Sequence, residues 1–166
     1  MNGVTPIECV ILQFILETWI KRMSNLKALD DKIELREKRV LVRVDLNVPI
    51  SDGKVSDNSR IKKIIPLITN LIAKKAKIIL ISHLGRPKGK FYEKLSLRPV
   101  AVALEELIEK KIEFFEKSYG PEAIEKSKKI KPGEILLLEN IRFNKEEELN
   151  AKSFSKELSK IGDIYI

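Results

Sequence analysis

The chain has 166 residues, 43% of them apolar and 34% charged: enough for one domain with a core, too few for two full ones, and too apolar for a disordered segment. Its formal net charge of +8 points to an anionic partner (nucleic acid, acidic lipid or a phosphorylated metabolite), or to nothing more than a lysine- and isoleucine-rich compositional bias. A single cysteine, Cys9, and a single histidine, His83, exclude a disulfide framework and a Cys/His metal site, and fit a reducing, cytoplasmic setting.

The chain begins with a mostly apolar stretch at residues 7–20, IECVILQFILETWI. It is too short to span a bilayer comfortably and is interrupted by Glu8, Gln13 and Glu17. Its basic residues, Lys21 and Arg22, follow the apolar run instead of preceding it, and no small-residue cleavage site comes after, so it does not read as a secretory signal. An interfacial amphipathic helix is one reading of it. The other, adopted here, takes Met23 as a start in its own right, residues 1–22 as an extension of unknown role, and residues 23–166 as the domain.

From Met23 onward, strand and helix signals alternate. Residues 40–44 (VLVRV), 78–82 (IILIS), 112–115 (IEFF) and 135–138 (ILLL) are apolar runs interrupted only by Arg43, Ser82 and Glu113, and residues 164–166 begin a fifth. Continuous apolar runs of this length are how strands buried on both faces of a parallel sheet read. Between them, Ile61, Ile64, Ile65, Ile68, Leu71 and Ile72 form one helical face, with Pro66 expected to kink it. Leu97, Val100, Ala101, Leu104, Leu107 and Ile108 form another, with Ser96 as its expected cap and Pro99 in its first turn. Residues 121–130 predict a short turn and helix, and residues 151–161 a further helix. The expected fold class is α/β: a parallel, Rossmann-like βαβ sheet with helices on both faces.

Open parallel sheets bind ligands beyond the carboxyl ends of their strands. Asp45 and Asn47 follow the first strand in RVDLNVP, His83, Gly85 and Arg86 follow the second in SHLGRP, and Asn140 and Arg142 follow the fourth in LLLENIRF. Arg60 lies near the start of the first helix, where backbone N–H groups and the helix dipole also favour an anion. The planar fork of arginine suits phosphate and carboxylate, and Asp45 and Asn47 suit hydroxyls. Each residue also has an ordinary reading. Asp45 or Asn47 caps a turn, Pro49 and Asp52-Gly53 are turn chemistry, His83 is a surface or satisfied core residue, Arg86 is solvated in its loop, and Arg142 balances residues 146–148. Taken together, the residues imply a small-anion site at one sheet edge.

RVDLNVP, a turn followed by SRI, SHLGRP and KPGEILLLENIRF resemble, in order and spacing, phosphoglycerate kinases. The resemblance covers residues 26–166 and is most specific at SHLGRP and LLLENIRF. It implies the incomplete N-terminal domain of a two-domain kinase that transfers a phosphoryl group reversibly between 1,3-bisphosphoglycerate and ADP in glycolysis. By motif, Asp45 and Asn47 are implied to hold the substrate hydroxyl and its surroundings, His83 the glycerate moiety, and Arg86 and Arg142 the non-transferred phosphate. Arg60 is implied to be the catalytic arginine facing the transferring group.

The resemblance also implies partners and gaps. 3-Phosphoglycerate or 1,3-bisphosphoglycerate is the expected ligand, and Mg-ATP or Mg-ADP would serve the full enzyme, whose nucleotide site, further strand and further substrate-binding arginine are not expected in these residues. No metal, nucleic-acid or membrane partner is expected: lysines are dispersed, aromatics are 6%, and no nucleic-acid motif is present. The full enzyme is expected to be a monomer, and a chain of this length to be inactive alone and prone to self-association. The competing class is a noncatalytic anion-binding or interaction module that keeps the half-site.

Overall fold

In a computed structural model, which describes residues 33–166, the apolar runs become strands and the periodic segments helices. The stretch at residues 7–20, Cys9 and the expected start at Met23 lie outside the described residues. In chain order the elements are β1 (Arg39–Arg43), β2 (Ile50–Ser51), β3 (Lys54–Val55), α1 (Ser59–Ala73), β4 (Lys77–Ile81), α2 (Arg98–Ile108) and β5 (Ile112–Phe115), then α3 (Pro121–Lys129), β6 (Ile135–Leu138), α4 (Lys145–Glu148), α5 (Lys152–Leu158) and β7 (Ile164–Tyr165). Single 3₁₀ turns occupy Glu93–Leu95 and Ile141–Phe143.

The main sheet is parallel throughout, in the order β5-β6-β4-β1-β7. Val40 lies opposite Ile78, and Ile78 opposite Ile135, so the apolar runs are aligned across the three central strands. All of β6 is buried, as are Ile78, Ile79, Leu80 and Ile81 of β4, because both faces are covered. Leu41, Ile79, Ile81, Leu136 and Leu138 pack on one face with Ala123 of α3 and Ile161 beyond α5. Alternation along each strand sends Val40, Val42, Ile78, Leu80, Ile135 and Leu137 to the opposite face. The connections from β1 and β4 run toward β5 and those from β5 and β6 back toward β7; the right-handed rule for such crossovers puts α1 and α2 on one face and α3 and α5 on the other.

Local chemistry sets the ends of these elements. Asp52 and Gly53 have φ of +50° and +72°, the left-handed pair that a two-residue hairpin turn needs, and they join β2 to β3. Helix α1 runs without interruption through Pro66, whose ring faces solvent and whose missing N–H leaves no donor for the preceding turn. Ile61, Ile68 and Leu71 are its buried residues, while Ile64, Ile65 and Ile72 are half-buried. The expected cap of α2 is displaced by one position. Leu97 occupies the N-cap, and Ser96 instead lies just outside, its Oγ accepting the Arg98 N–H at 3.2 Å and donating to Glu139 at 2.7 Å. The hydroxyl serves both at once: its oxygen accepts from the start of the helix and its proton goes to the carboxylate across the loop.

Candidate functional site

Parallel strands deliver all their carboxyl ends to one edge, and the strand order singles out a point along it. The connection leaving β4 runs toward β5, whereas that leaving β6 runs toward β7 on the other side. Between the carboxyl ends of β4 and β6 the chain therefore parts, which is where open α/β sheets form a crevice. His83, Gly85 and Arg86 come from one side of it, Asn140 and Arg142 from the other.

Hydrogen bonds tie the two sides together. Asn140 is fully buried: its Nδ2 donates to the carbonyls of Leu84 at 2.8 Å and Leu95 at 2.9 Å, and its Oδ1 accepts the Arg142 N–H at 3.1 Å. Both ends of the amide are thus spent on shaping the loops, so Asn140 is a clasp and not a group aimed at a ligand. Its neighbour Glu139, also buried, accepts from the Leu97 N–H at 2.9 Å and its own successor's N–H at 2.7 Å. Gly85 has φ +63°, a left-handed conformation that favours glycine, and a Cβ there would press on the Leu95 side chain.

The β1 side is joined in the same way. The buried Ser82 hydroxyl accepts the Leu46 N–H at 3.0 Å and donates to the Val44 carbonyl at 2.8 Å. Asn47 uses its Oδ1 to accept the Gly85 N–H at 2.9 Å, so the predicted hydroxyl-binding residue also holds the SHLG loop in place. Asp45 and Arg60 form an ion pair in which both side chains are about half exposed. The Arg60 hydrogen bond, and less strongly the Asn47 N–H, hold the Asp45 carboxyl below the usual carboxylate value against the opposing effect of burial.

Positive charge concentrates at the crevice. Arg142 donates through Nη1 to the Gly85 carbonyl at 3.3 Å and through Nε to Glu147 at 3.4 Å. Glu147 also accepts from Arg43 at 2.6 Å, and its side chain is only 8% exposed. Half-buried His83 is pushed below the ordinary histidine value by desolvation first and by the charge of Arg142 second, with Asp45 and Glu147 opposing. The shift favours the neutral imidazole. Arg86 is exposed on the loop, and its side chain has no hydrogen bond or ion pair among the described residues.

Of the predicted residues, Asp45 is joined to Arg60, Asn47 to Gly85 and Arg142 to Gly85 along one open edge, while His83 and Arg86 make no side-chain hydrogen bond among the described residues. That edge is a shelf. A cavity of about 1100 Å³ lies elsewhere, lined by Ile50, Asp52, Phe91, Lys94, Arg98 and Glu139 among others, and none of the predicted residues lines it. The chemistry, not the volume, marks the site, since the cavity's buried polar groups already satisfy one another. Arg43 and Glu147 were not singled out in the sequence. Arg43 was visible as the lone charge in an apolar run, but nothing distinguishes Glu147 from Glu146 and Glu148 beside it. Among the described residues no cluster of three or more His, Cys, Asp or Glu side chains could hold a metal. No helix among them is long and apolar enough to cross a membrane.

Comparison with known proteins agrees with this fold. The family profile described as phosphoglycerate kinase matches residues 30–166. The phosphoglycerate kinase of Leptospira biflexa is 52% identical over 132 residues, covering 80% of this chain and 33% of that protein. That of Moorella thermoacetica is 48% identical over 134 residues, covering 81% of this chain and 34% of the relative. The crystal structure of the Pyrococcus horikoshii OT3 phosphoglycerate kinase superimposes with a TM-score of 0.74 at 35% identity, over 84% of this chain and 36% of that one. The chain spans about a third of the length of these relatives. With its parallel sheet, its motif order and its profile match in agreement, the chain belongs to the phosphoglycerate kinase family.

Proposed function

We propose that the shelf at the β4–β6 crevice is the glycerate half of a phosphoglycerate kinase active site. Its ligand is 3-phosphoglycerate or 1,3-bisphosphoglycerate, within reversible phosphoryl transfer between 1,3-bisphosphoglycerate and ADP in glycolysis. The observation that carries this reading is the Arg142–Gly85 hydrogen bond, with His83 close enough to feel the charge of Arg142, at the point where the sheet's connections part. Arg86 and Arg142 clamp the non-transferred phosphate through charge-assisted hydrogen bonds. His83 contacts the glycerate moiety, and a neutral ring does so as a single donor and single acceptor. Asp45 and Asn47 hold the hydroxyl and its surroundings. Arg60, exposed beside Asp45, faces the transferring phosphoryl group and stabilises its charge.

On this reading the protein is a cytoplasmic kinase, monomeric when whole, with Mg-ATP or Mg-ADP held by a part not among these residues. Phosphoryl transfer depends on holding both substrates in line, so the 166-residue chain alone is inactive. The test is calorimetric titration of the chain with 3-phosphoglycerate, against sulfate, at low and high salt, beside a coupled assay for ATP. Weak binding of 3-phosphoglycerate that sulfate does not match, without turnover, is the expected result. Equal binding of sulfate refutes the site, and ATP formation that copurifies with the chain and disappears in Arg60→Ala refutes the inactivity.

A further inference from the structure

Strand order places three cationic or imidazole side chains in a row along the sheet edge: Arg142 after β6, His83 after β4 and Arg43 at the end of β1. The strand of His83 separates the two arginines, yet one carboxylate reaches both. Glu147 accepts from Arg43 Nη2 through Oε1 at 2.6 Å and from Arg142 Nε through Oε2 at 3.4 Å. Its side chain is only 8% exposed, far less than a solvated glutamate on a short surface helix would be. Neither Glu146 nor Glu148 bonds an arginine through its side chain among the described residues.

The helix that carries Glu147 is itself pinned at its start. Asn144 Nδ2 donates to Ser118 Oγ at 2.6 Å and to the Ile141 carbonyl at 3.0 Å. Gly89 donates its N–H to the Arg142 carbonyl at 3.2 Å, and a Cβ on Gly89 would lie 2.9 Å from the backbone of Lys145, so the β4 loop presses directly on the first residue of α4. A fixed helix gives a fixed carboxylate. With Nε held by Glu147 and Nη1 by the Gly85 carbonyl, the guanidinium of Arg142 has one orientation and keeps Nη2 uncommitted among the described residues.

We infer that Glu147 is a positioning residue of the anion site: by bridging Arg43 and Arg142 from the pinned α4 helix, it orients the Arg142 guanidinium for the ligand phosphate. The inference rests on the ligand reading above. It also carries a sign. A resident carboxylate that merely competed with phosphate would weaken binding, and its removal would tighten it. A positioning carboxylate strengthens binding, and its removal weakens it, because an unrestrained arginine must be ordered when the ligand arrives.

The experiment uses the 166-residue chain and Glu147→Ala and Glu147→Gln variants, with two readouts. Without ligand, the Arg142 Nε–H resonance, assigned by its loss in Arg142→Lys, is resolved in the wild type, lost in Glu147→Ala and retained at a shifted position in Glu147→Gln. With 3-phosphoglycerate, Glu147→Ala binds about tenfold more weakly, and Glu147→Gln, which keeps an acceptor, about threefold. If Glu147→Ala does not fold, Glu147→Gln carries both readouts. Unchanged or tighter binding in a folded variant, or an unchanged Nε–H resonance in Glu147→Ala, overturns the inference. A wild type that shows the resonance as expected but binds 3-phosphoglycerate no better than sulfate overturns the ligand reading and leaves the positioning of Arg142 standing.

Discussion

Arg39 and Asp163, 124 positions apart in the chain, are joined by their guanidinium and carboxylate and by a backbone bond as well. Arg39 Nη2 donates to Asp163 Oδ1 at 2.6 Å, and both Nε and the backbone N–H of Arg39 donate to Oδ2, at 3.2 and 2.9 Å. The same arginine reaches Ser127 Oγ and the Lys160 carbonyl through Nη1, each at 3.2 Å. One side chain thus fastens the start of β7 to the start of β1 and to α3. Arg39 holds the Asp163 carboxyl below its usual range, against burial. A depressed folded value stabilises the protein above the unfolded aspartate pKa, and the contribution is lost as pH falls through the folded value. Asp163→Asn therefore lowers the unfolding free energy measured in urea at pH 7 by about 1 kcal/mol, given that the carboxylate is partly solvated. The deficit relative to wild type shrinks as the pH is taken down to 3, and a deficit that is constant with pH contradicts the pairing.

Arg86 and Arg142 are assigned to the same phosphate but differ in what else they hold. Arg86→Ala weakens 3-phosphoglycerate binding at least tenfold, as expected for one charge-assisted hydrogen bond of about 1.5–3 kcal/mol, and leaves the unfolding midpoint unchanged. Arg142→Ala weakens binding equally and also lowers the midpoint, because the Gly85 carbonyl and buried Glu147 lose a donor. Calorimetry with thermal unfolding on the same samples separates the two. Equal stability losses would mean that the contacts of Arg142 are not held in solution.

Arg60→Ala tests the exposed pair. Asp45 and Arg60 are both about half in solvent, so the pair contributes little to stability, under about 1 kcal/mol. The unfolding midpoint stays within error of wild type. The Asp45 carboxyl, followed by carbon NMR, titrates at a higher pH once its principal donor is gone. 3-Phosphoglycerate binding falls less than in Arg142→Ala, since the group assigned to Arg60 is the transferring one, which that ligand lacks.

Asn140→Ala is predicted to be the most destabilising of these changes. It strips donors from the Leu84 and Leu95 carbonyls and an acceptor from the Arg142 N–H in a fully buried position. Each unsatisfied buried group costs about 1–3 kcal/mol, so a loss of about 3 kcal/mol or more is expected in chemical denaturation. A loss under about 1 kcal/mol would mean that the clasp is not formed or is replaced by water.

The sequence by itself determined the elements and the edge. Runs such as ILLL and IILIS are apolar on both faces, which leaves a buried parallel strand as the consistent reading, and parallel strands bring Asp45, His83 and Arg142 to one end. The apolar face of α1 and the Asp52-Gly53 turn were legible for the same reason: periodicity and turn chemistry are local properties, complete within a few residues. Which polar side chain faces the ligand shelf and which faces the loops is not local. Asn140 and Arg142 sit two positions apart in one motif, yet Asn140 is consumed by the Leu84 and Leu95 carbonyls while Arg142 stands at the crevice. Ser96 was legible as a group at the start of a helix, but its second partner, Glu139, lies 43 positions away and was not. Among three successive glutamates, only tertiary packing chose Glu147 to bridge two arginines. Hydrogen-bond partners are set by which loops meet across the sheet, and that depends on the strand order β5-β6-β4-β1-β7, which no stretch of the chain encodes alone.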